Sequence, residues 1–445
     1  MKLSEITPTL REIGVAPVKS LGQNFLHDRN LARWDVDQAE IEPNDFVIEI
    51  GPGLGALTEL IVSKDAHVLA IEKDKRLADY LRKRFSNSRL NVVHADALEF
   101  DPRTLYTHSK VKLLGNLPYY VSSQLLLKFL EYPSPISLWL FTLQKELAKR
   151  LGAAPSTSDY GALTLLVQLH YRVEYLRSVP ASVFIPKPDV DSAIVRITPR
   201  DPNELGYCDH AVFENLVRHG FSQRRKQLGK LIRNDVPNWE SAAITLGLNA
   251  KARAEELSLR QWIALTNYVD RTNVPQTSDK PEELFIVVDK ADRVIGSAPR
   301  GKVHANNLLH RAIHILLFNL RGEVLLQLRS RLKDRHPLKW DSSAAGHVSA
   351  GEEYDQTAPR ELAEELGVDT PLEVVAKLSA SKKTDHEFVG FYTGTHEGPF
   401  RANAREIEAI RFFPVEIVDA WIKARPQEFA PTFLECWKIW RRKTP

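Results

Sequence analysis

The run that ends in Glu49-Ile50 breaks into Gly51-Pro52-Gly53-Leu54-Gly55-Ala56 and then into an amphipathic stretch, Leu57–Val62. No other feature restricts the fold of this chain as much. The glycines let the backbone turn sharply and lie close to a ligand. A helix that opens there directs its partial positive charge at the turn. A strand, a tight turn and a helix are therefore predicted. Further short apolar or β-branched runs stand at His67–Ile71, Asn91–His94 and Lys112–Leu114, with an amphipathic stretch at Lys75–Phe85. Strands that alternate with helices make βαβ units and a parallel sheet. Ala193–Ile197 reads as an antiparallel or edge strand closing this region.

Parallel α/β sheets bind ligands at the carboxyl ends of their strands. Glu72 ends the second predicted strand and can accept hydrogen bonds from a ribose diol. Asp96, after the third, can reach an adenine amino group. Taken alone, Gly51, Gly53 and Ala56 also satisfy the glycine pattern of nicotinamide-dinucleotide enzymes. Asn116-Leu-Pro-Tyr119 follows the fourth run. An exocyclic amine is a poor nucleophile because its lone pair is delocalised into its ring. An Asn side-chain oxygen and the Pro118 carbonyl can hold the N–H groups and localise that pair. Tyr119 can stack on the base. A nicotinamide enzyme would explain the glycine turn but not this group.

From about Asp209 the pattern changes. Ala211–His219, Arg224–Arg233, Glu240–Leu246 and Leu259–Tyr268 are helical in period. Arg218, Arg224, Arg225, Lys226, Lys230 and Arg233 form a basic run without an acid. Net charge is only +3, so a polyanion must be met by such a local patch. Arg271–Glu283 is polar, has two prolines and reads as a linker. Strand-like runs resume at Leu284–Val288, Ala312–Asn319, Glu323–Gln327, Phe388–Thr393 and Ile410–Phe413. A strong helix is predicted over Tyr354–Leu366 and helical structure over Val415–Lys438.

The motifs Leu21-Gly-Gln-Asn24-Phe-Leu26, Glu49-x-Gly51-x-Gly53-x-Gly55, Asn116-Leu-Pro-Tyr119, Phe184–Ser192 and Phe221–Lys226 occur in that order. In this the stretch Ser20–Asn267 resembles the small-subunit (16S) rRNA adenine N6-dimethyltransferases. The resemblance implies S-adenosylmethionine as methyl donor. It implies dimethylation of two adjacent adenosines in the 3′-terminal hairpin of 16S rRNA, in the pre-30S particle. It places Asn24, Leu26, Gly51, Glu72, Asp96 and Asn116 at the cofactor, and Tyr119 and Phe184 about a flipped adenine. Asn116, Tyr119 and Phe184 are the implied catalytic residues. Arg224, Arg225 and Lys226 fall in the part that contacts rRNA, where phosphate contacts give affinity rather than sequence readout.

Glu361 lies three and four residues before Glu364 and Glu365, so the three share a helix face. Like charges so placed destabilise a helix unless a hard cation neutralises them, and Mg²⁺ favours carboxylates together with phosphate oxygens. Gly346, Glu352, Arg360-Glu361, Glu364-Glu365 and Gly367-Val368 keep the spacing of the Nudix box. The stretch Glu283–Pro445 thus resembles Nudix hydrolases. This implies an α/β/α sandwich that cleaves a nucleoside-diphosphate-type molecule with Mg²⁺ on Glu361, Glu364 and Glu365. Glu364 or Glu365 would serve as base, and Glu352 would pair with Arg360. Glu406 or Glu408 would add a ligand. The alternative is a methyltransferase or 30S assembly factor whose Nudix domain only binds.

The expected organisation is a Rossmann-like α/β methyltransferase domain (1–205), a small all-helical subdomain (206–270), a linker (271–282) and the Nudix domain (283–445). No apolar stretch approaches the ~20 residues that span a bilayer. The two cysteines, Cys208 and Cys436, are far apart and form no metal motif. A cytoplasmic monomer without a membrane partner is expected.

Overall fold

The computed structural model describes residues 3–17, 23–86, 89–270 and 281–443. Leu21-Gly22 of the first motif and 271–280 of the expected linker lie outside them. The chain divides into two compact units, Met1–Arg271 and Thr272–Pro445.

In the first unit, Phe46–Ile50 (β1) runs parallel between His67–Glu72 (β2) and Val111–Asn116 (β4). Leu90–His94 (β3) extends the sheet beyond β2. Ile136–Gln144 (β5) continues it parallel to β4. Tyr171–Val179 (β6) and Ser192–Pro199 (β7) complete the order β3-β2-β1-β4-β5-β7-β6. β7 is antiparallel, as its sequence suggests, but it is interior: Val195 and Ile197 are buried. The edge falls to β6, whose Arg172, Glu174 and Arg177 suit a strand open to water. Strand order reverses between β1 and β4, which places a crevice at their carboxyl ends.

The sheet is covered on both faces by apolar clusters. One centres on Trp139, Phe141 and Phe129, the other on Val47, Ile61 and Leu140. A helix over Leu3–Glu12, not foreseen in the sequence, buries Ile6 and Leu10 against Phe25, Leu54 and Leu77.

The later helices pack around Trp262, Phe213 and Trp239. Arg224–Arg233 is not one helix. Only Leu228–Leu231 is helical, because Gln227 bridges to Arg253 and the Leu228 N–H donates to the Ala252 carbonyl.

The second unit is a nine-stranded mixed sheet with helices. Its axis is His310–Phe318 (β10), numbered after Leu284–Val288 (β8) and Val294–Pro299 (β9). β10 pairs with Val324–Arg329 (β11) and with Ala344–His347 (β12), both antiparallel. Leu372–Leu378 (β13) pairs with Glu387–Thr395 (β14), which runs parallel to β10; Ile407–Phe413 (β15) pairs with β11. The Tyr354–Leu366 helix forms as predicted and buries Ala358, Leu362 and Leu366 against Ile313, Ile315 and Leu317. The terminal helical run is two helices, Val415–Ala424 and Pro431–Lys443. Pro426 and Pro431 each remove a donor where a continuous helix would need one.

Candidate active sites

The glycine turn of the first unit is held from two sides. Gly51 and Gly53 have φ of +67° and +58°, a backbone region costly for other residues. A Cβ on Gly53 would lie 3.1 Å from the Phe25 ring. From β2, Glu72 accepts the Gly53 N–H (3.1 Å) and the Asp74 N–H (2.9 Å). Burial pushes the Glu72 carboxyl up. Asp96 takes Lys73 Nζ at 2.6 Å and the Leu98 N–H at 2.9 Å. The Lys73 contact holds Asp96 below the usual carboxylate range.

Asn24, Gly51, Glu72, Asp96 and Asn116 line one cavity of about 100 Å³. Asn116 Nδ2 donates to the Asn24 carbonyl at 3.1 Å, which fixes the amide and turns Oδ1 the other way. The Pro118 carbonyl accepts the Val121 N–H and keeps a second lone pair. Leu26 is set apart from the first cavity. It pairs with Phe184 across a two-stranded ladder, and both line an adjoining cavity that shares Asn24, Gly51 and Asn116. Tyr119 lines neither. It is half-buried, and its hydroxyl lies 2.5 Å from Ser192 Oγ.

The sequence reading missed how Tyr119 and Phe184 are held. Ser192 is fully buried beneath the Tyr119 hydroxyl. The preceding Asp191 accepts the Ala181 N–H at 3.1 Å and so ties down the turn Ala181–Val183 that leads into Phe184. Two consecutive residues thus anchor both aromatic arms. Their only signal was membership of the Phe184–Ser192 motif.

In the helical part, Arg225, Lys226 and Lys230 share a groove with Lys251 and Arg253, two cations the sequence reading did not include. Arg224 does not line it; its Nε lies 3.2 Å from Glu255.

In the second unit a cavity of about 360 Å³ is lined by Glu361, Glu364, Glu365 and Glu406, with Lys333 and Arg335. Gly346 is required by contact, since a Cβ there would lie 2.1 Å from Glu361 Cδ. Glu365 Oε2 accepts from Gln327 Nε2 (3.1 Å) and the Ala345 N–H (3.2 Å). Burial pushes Glu365 well above the ordinary range and Glu361 up to about 7. A buried Glu365 and a half-buried Glu361 that both resist ionisation suit a divalent cation, as does the all-oxygen donor set.

Arg360 grips Glu352 with two contacts of 2.9 Å, as its spacing suggests, and reaches Glu364 at 3.1 Å. Glu406 pairs with Lys333 at 2.6 Å inside the cavity. Glu408 pairs with Arg331 and does not line the cavity.

The first unit has the fold and strand-end crevice of a Rossmann-like methyltransferase, and the second has those of a Nudix domain. Comparison with known proteins agrees. Residues 17–271 match the family "Ribosomal RNA adenine dimethylase", and residues 308–433 match the NUDIX domain. The chain is similar to Ribosomal RNA small subunit methyltransferase A of Geobacillus kaustophilus (strain HTA426). The two are 38% identical over 271 residues, 58% of this chain and 92% of that one. The corresponding protein of Alcanivorax borkumensis is 39% identical over 268 residues, 58% of this chain and 94% of that one. A crystal structure of 23S rRNA methyltransferase ErmE is 29% identical, with a TM-score of 0.48, over 56% of this chain and 100% of that one. The chain belongs to the ribosomal RNA adenine dimethylase family, with a NUDIX domain following in the same polypeptide. It is an enzyme of the methyltransferase class. Among the described residues no helix is long and apolar enough to cross a membrane.

Proposed function

We propose that the first unit dimethylates N6 of two adjacent adenosines in the 3′-terminal hairpin of 16S rRNA within the pre-30S particle. The observation that carries this reading is the orientation of Asn116. Its Nδ2 is spent on the Asn24 carbonyl at 3.1 Å, so Oδ1 is the end left for an amine N–H. S-adenosylmethionine, when bound, supplies an electrophilic methyl on sulfur. Asn24, Gly51, Glu72 and Asp96 hold it in the cavity they share with Asn116. Leu26 backs that site from the adjoining cavity.

Asn116 Oδ1 and the Pro118 carbonyl accept the two amine N–H groups and turn the nitrogen lone pair toward the donor. Tyr119 and Phe184 clamp the extruded base, and extrusion is what chemistry on a stacked base requires. Arg225 and Lys226 bind rRNA phosphates from residues 206–270, with Arg224 beside them. Labelled-methyl transfer to undermethylated 30S particles tests the reading. Incorporation that stops at two adjacent adenosines is expected; none, or methylation elsewhere, overturns it.

For the second unit the reading is Mg²⁺-dependent cleavage of a nucleoside-diphosphate-type compound. Glu361, Glu364 and Glu365 hold the cation, which supplies Lewis acidity and neutralises diphosphate charge. Lys333 and Arg335, which line the same cavity, bind the diphosphate, and Glu364 or Glu365 takes the proton of the attacking water. The raised pKa of the buried Glu365 and the half-buried Glu361 supports the cation site. A panel of dinucleotide diphosphates tests it: Mg²⁺-dependent product release should vanish in Glu365→Gln. Binding without turnover would make the domain a binding module.

A further inference from the structure

We infer that Asp35 is a cofactor-binding residue of the first unit, and that with Glu49 it receives the ammonium group of the methyl donor's methionine arm in the cavity that adjoins Asn116. The inference rests on S-adenosylmethionine as the donor.

Two elements bring the acids to one place. Asp35 lies on the helix Arg29–Gln38, one turn after Leu31, and both are buried. Residues so spaced share a helix face, and both line a cavity of about 40 Å³. Glu49 comes from β1, one residue before its end, and lines the same cavity.

The two carboxyls are held differently. Glu49 Oε2 accepts the Thr58 hydroxyl at 2.7 Å. Asp35 Oδ1 is buried and has no hydrogen-bond partner among the described residues. Arg177 attracts the Asp35 carboxyl without hydrogen-bonding to Oδ1, and its guanidinium sits 4.9 Å over the Trp34 ring. Burial outweighs that attraction and pushes both acids up to about 7. A buried acceptor left without a donor is costly. Here the cost falls at a cavity wall, where a ligand can remove it.

The place of this cavity says what it takes. Glu72 and Asp96 line only the first cavity, Asp35 and Glu49 only the second, and Asn24, Gly51 and Asn116 line both. A donor with its adenosine at Glu72 and Asp96 and its sulfur beside Asn116 extends its methionine arm away from the adenosine. Past Gly51 and Asn116 that arm meets the second cavity. The arm carries an ammonium group, and two carboxyls kept neutral by burial suit an incoming cation. An N–H of the ammonium that donates to Asp35 Oδ1 makes a charge-assisted hydrogen bond. Phe184 also lines this cavity, so the target base approaches the same space. An adenine ring is neutral and brings the two acids no counter-charge, which favours the ammonium.

The test uses the full-length protein and calorimetry with three probes. S-adenosylhomocysteine carries the ammonium without the sulfonium. Its deaminated analogue keeps the carboxylate alone, and methylthioadenosine has no amino-acid arm. Asp35→Asn keeps the shape and an acceptor but cannot take the negative charge. It should weaken S-adenosylhomocysteine binding about 10-fold and leave the other two probes within about twofold. Retained methylthioadenosine binding shows that the variant is folded. Equal weakening of all three probes, or no weakening of S-adenosylhomocysteine, overturns the proposal. So does a raised KM for 30S particles with S-adenosylhomocysteine affinity unchanged, which assigns the acid to the target base. A wild-type chain that binds none of the probes overturns the cofactor reading itself.

Discussion

Asn116 shows how one hydrogen bond sets the direction of a side chain. Asn116→Asp keeps the shape but places an acceptor opposite the Asn24 carbonyl. Methyl transfer should fall at least about 100-fold, with S-adenosylmethionine affinity, read by calorimetry, changed much less. Ser192→Ala removes the partner of the Tyr119 hydroxyl without touching the base. Its expected signature is a KM for 30S particles raised several-fold, with little change in the melting temperature. Tyr119→Phe should reproduce it.

Asp35 makes a separate point about stability. It is 4% exposed, its Oδ1 has no hydrogen-bond partner among the described residues, and burial raises its carboxyl from 3.8 to about 7 against the pull of Arg177. The fold prefers the neutral acid. Its contribution is complete below the unfolded value and is lost as pH rises to about 7, a decline on the order of a few kcal/mol. Urea denaturation of the full chain at pH 5 and pH 8 should show that decline, and Asp35→Asn should make it smaller, leaving the part that the raised Glu49, Glu361 and Glu365 contribute in the same direction.

At the scale of elements, the Tyr354–Leu366 helix must bury one face while it presents three carboxylates on another. Leu362 and Leu366 supply the buried face and are fully enclosed. Leu362→Ala should cost roughly 2–5 kcal/mol in thermal denaturation. The basic turn before Leu228–Leu231 is an element of a different kind. It is not held by a continuous helix but by pairing with 252–253, which brings Lys251 and Arg253 beside Arg225 and Lys226. Arg225→Ala with Lys226→Ala should lower the slope of log affinity against log salt for rRNA by about 1 to 2, without changing which adenosines react.

Across the whole molecule, each constellation is built from residues of one unit alone. In the full chain, Asn116→Ala should therefore abolish methylation and spare nucleotide hydrolysis, and Glu365→Gln should do the reverse; loss of both in either variant would overturn this separation. Much of this was legible in the residues. The glycine turn, Glu72 and Asp96 are read from spacing because consecutive strands of a parallel sheet end at one edge. The face shared by Glu361, Glu364 and Glu365 follows from helical period alone. Other features need the partner that folding supplies. Arg225 and Lys226 meet Lys251 and Arg253 only because residues 227 and 228 pair with 253 and 252. Ser192 meets Tyr119 only through a side-chain contact across the fold, and His310 meets His347 and Glu387 only through strand register. Local order along the chain thus determined where the turns, helices and motif residues stand. The tertiary structure decided which distant side chains share a site, because hydrogen-bond register and burial act between segments that no sequence spacing connects.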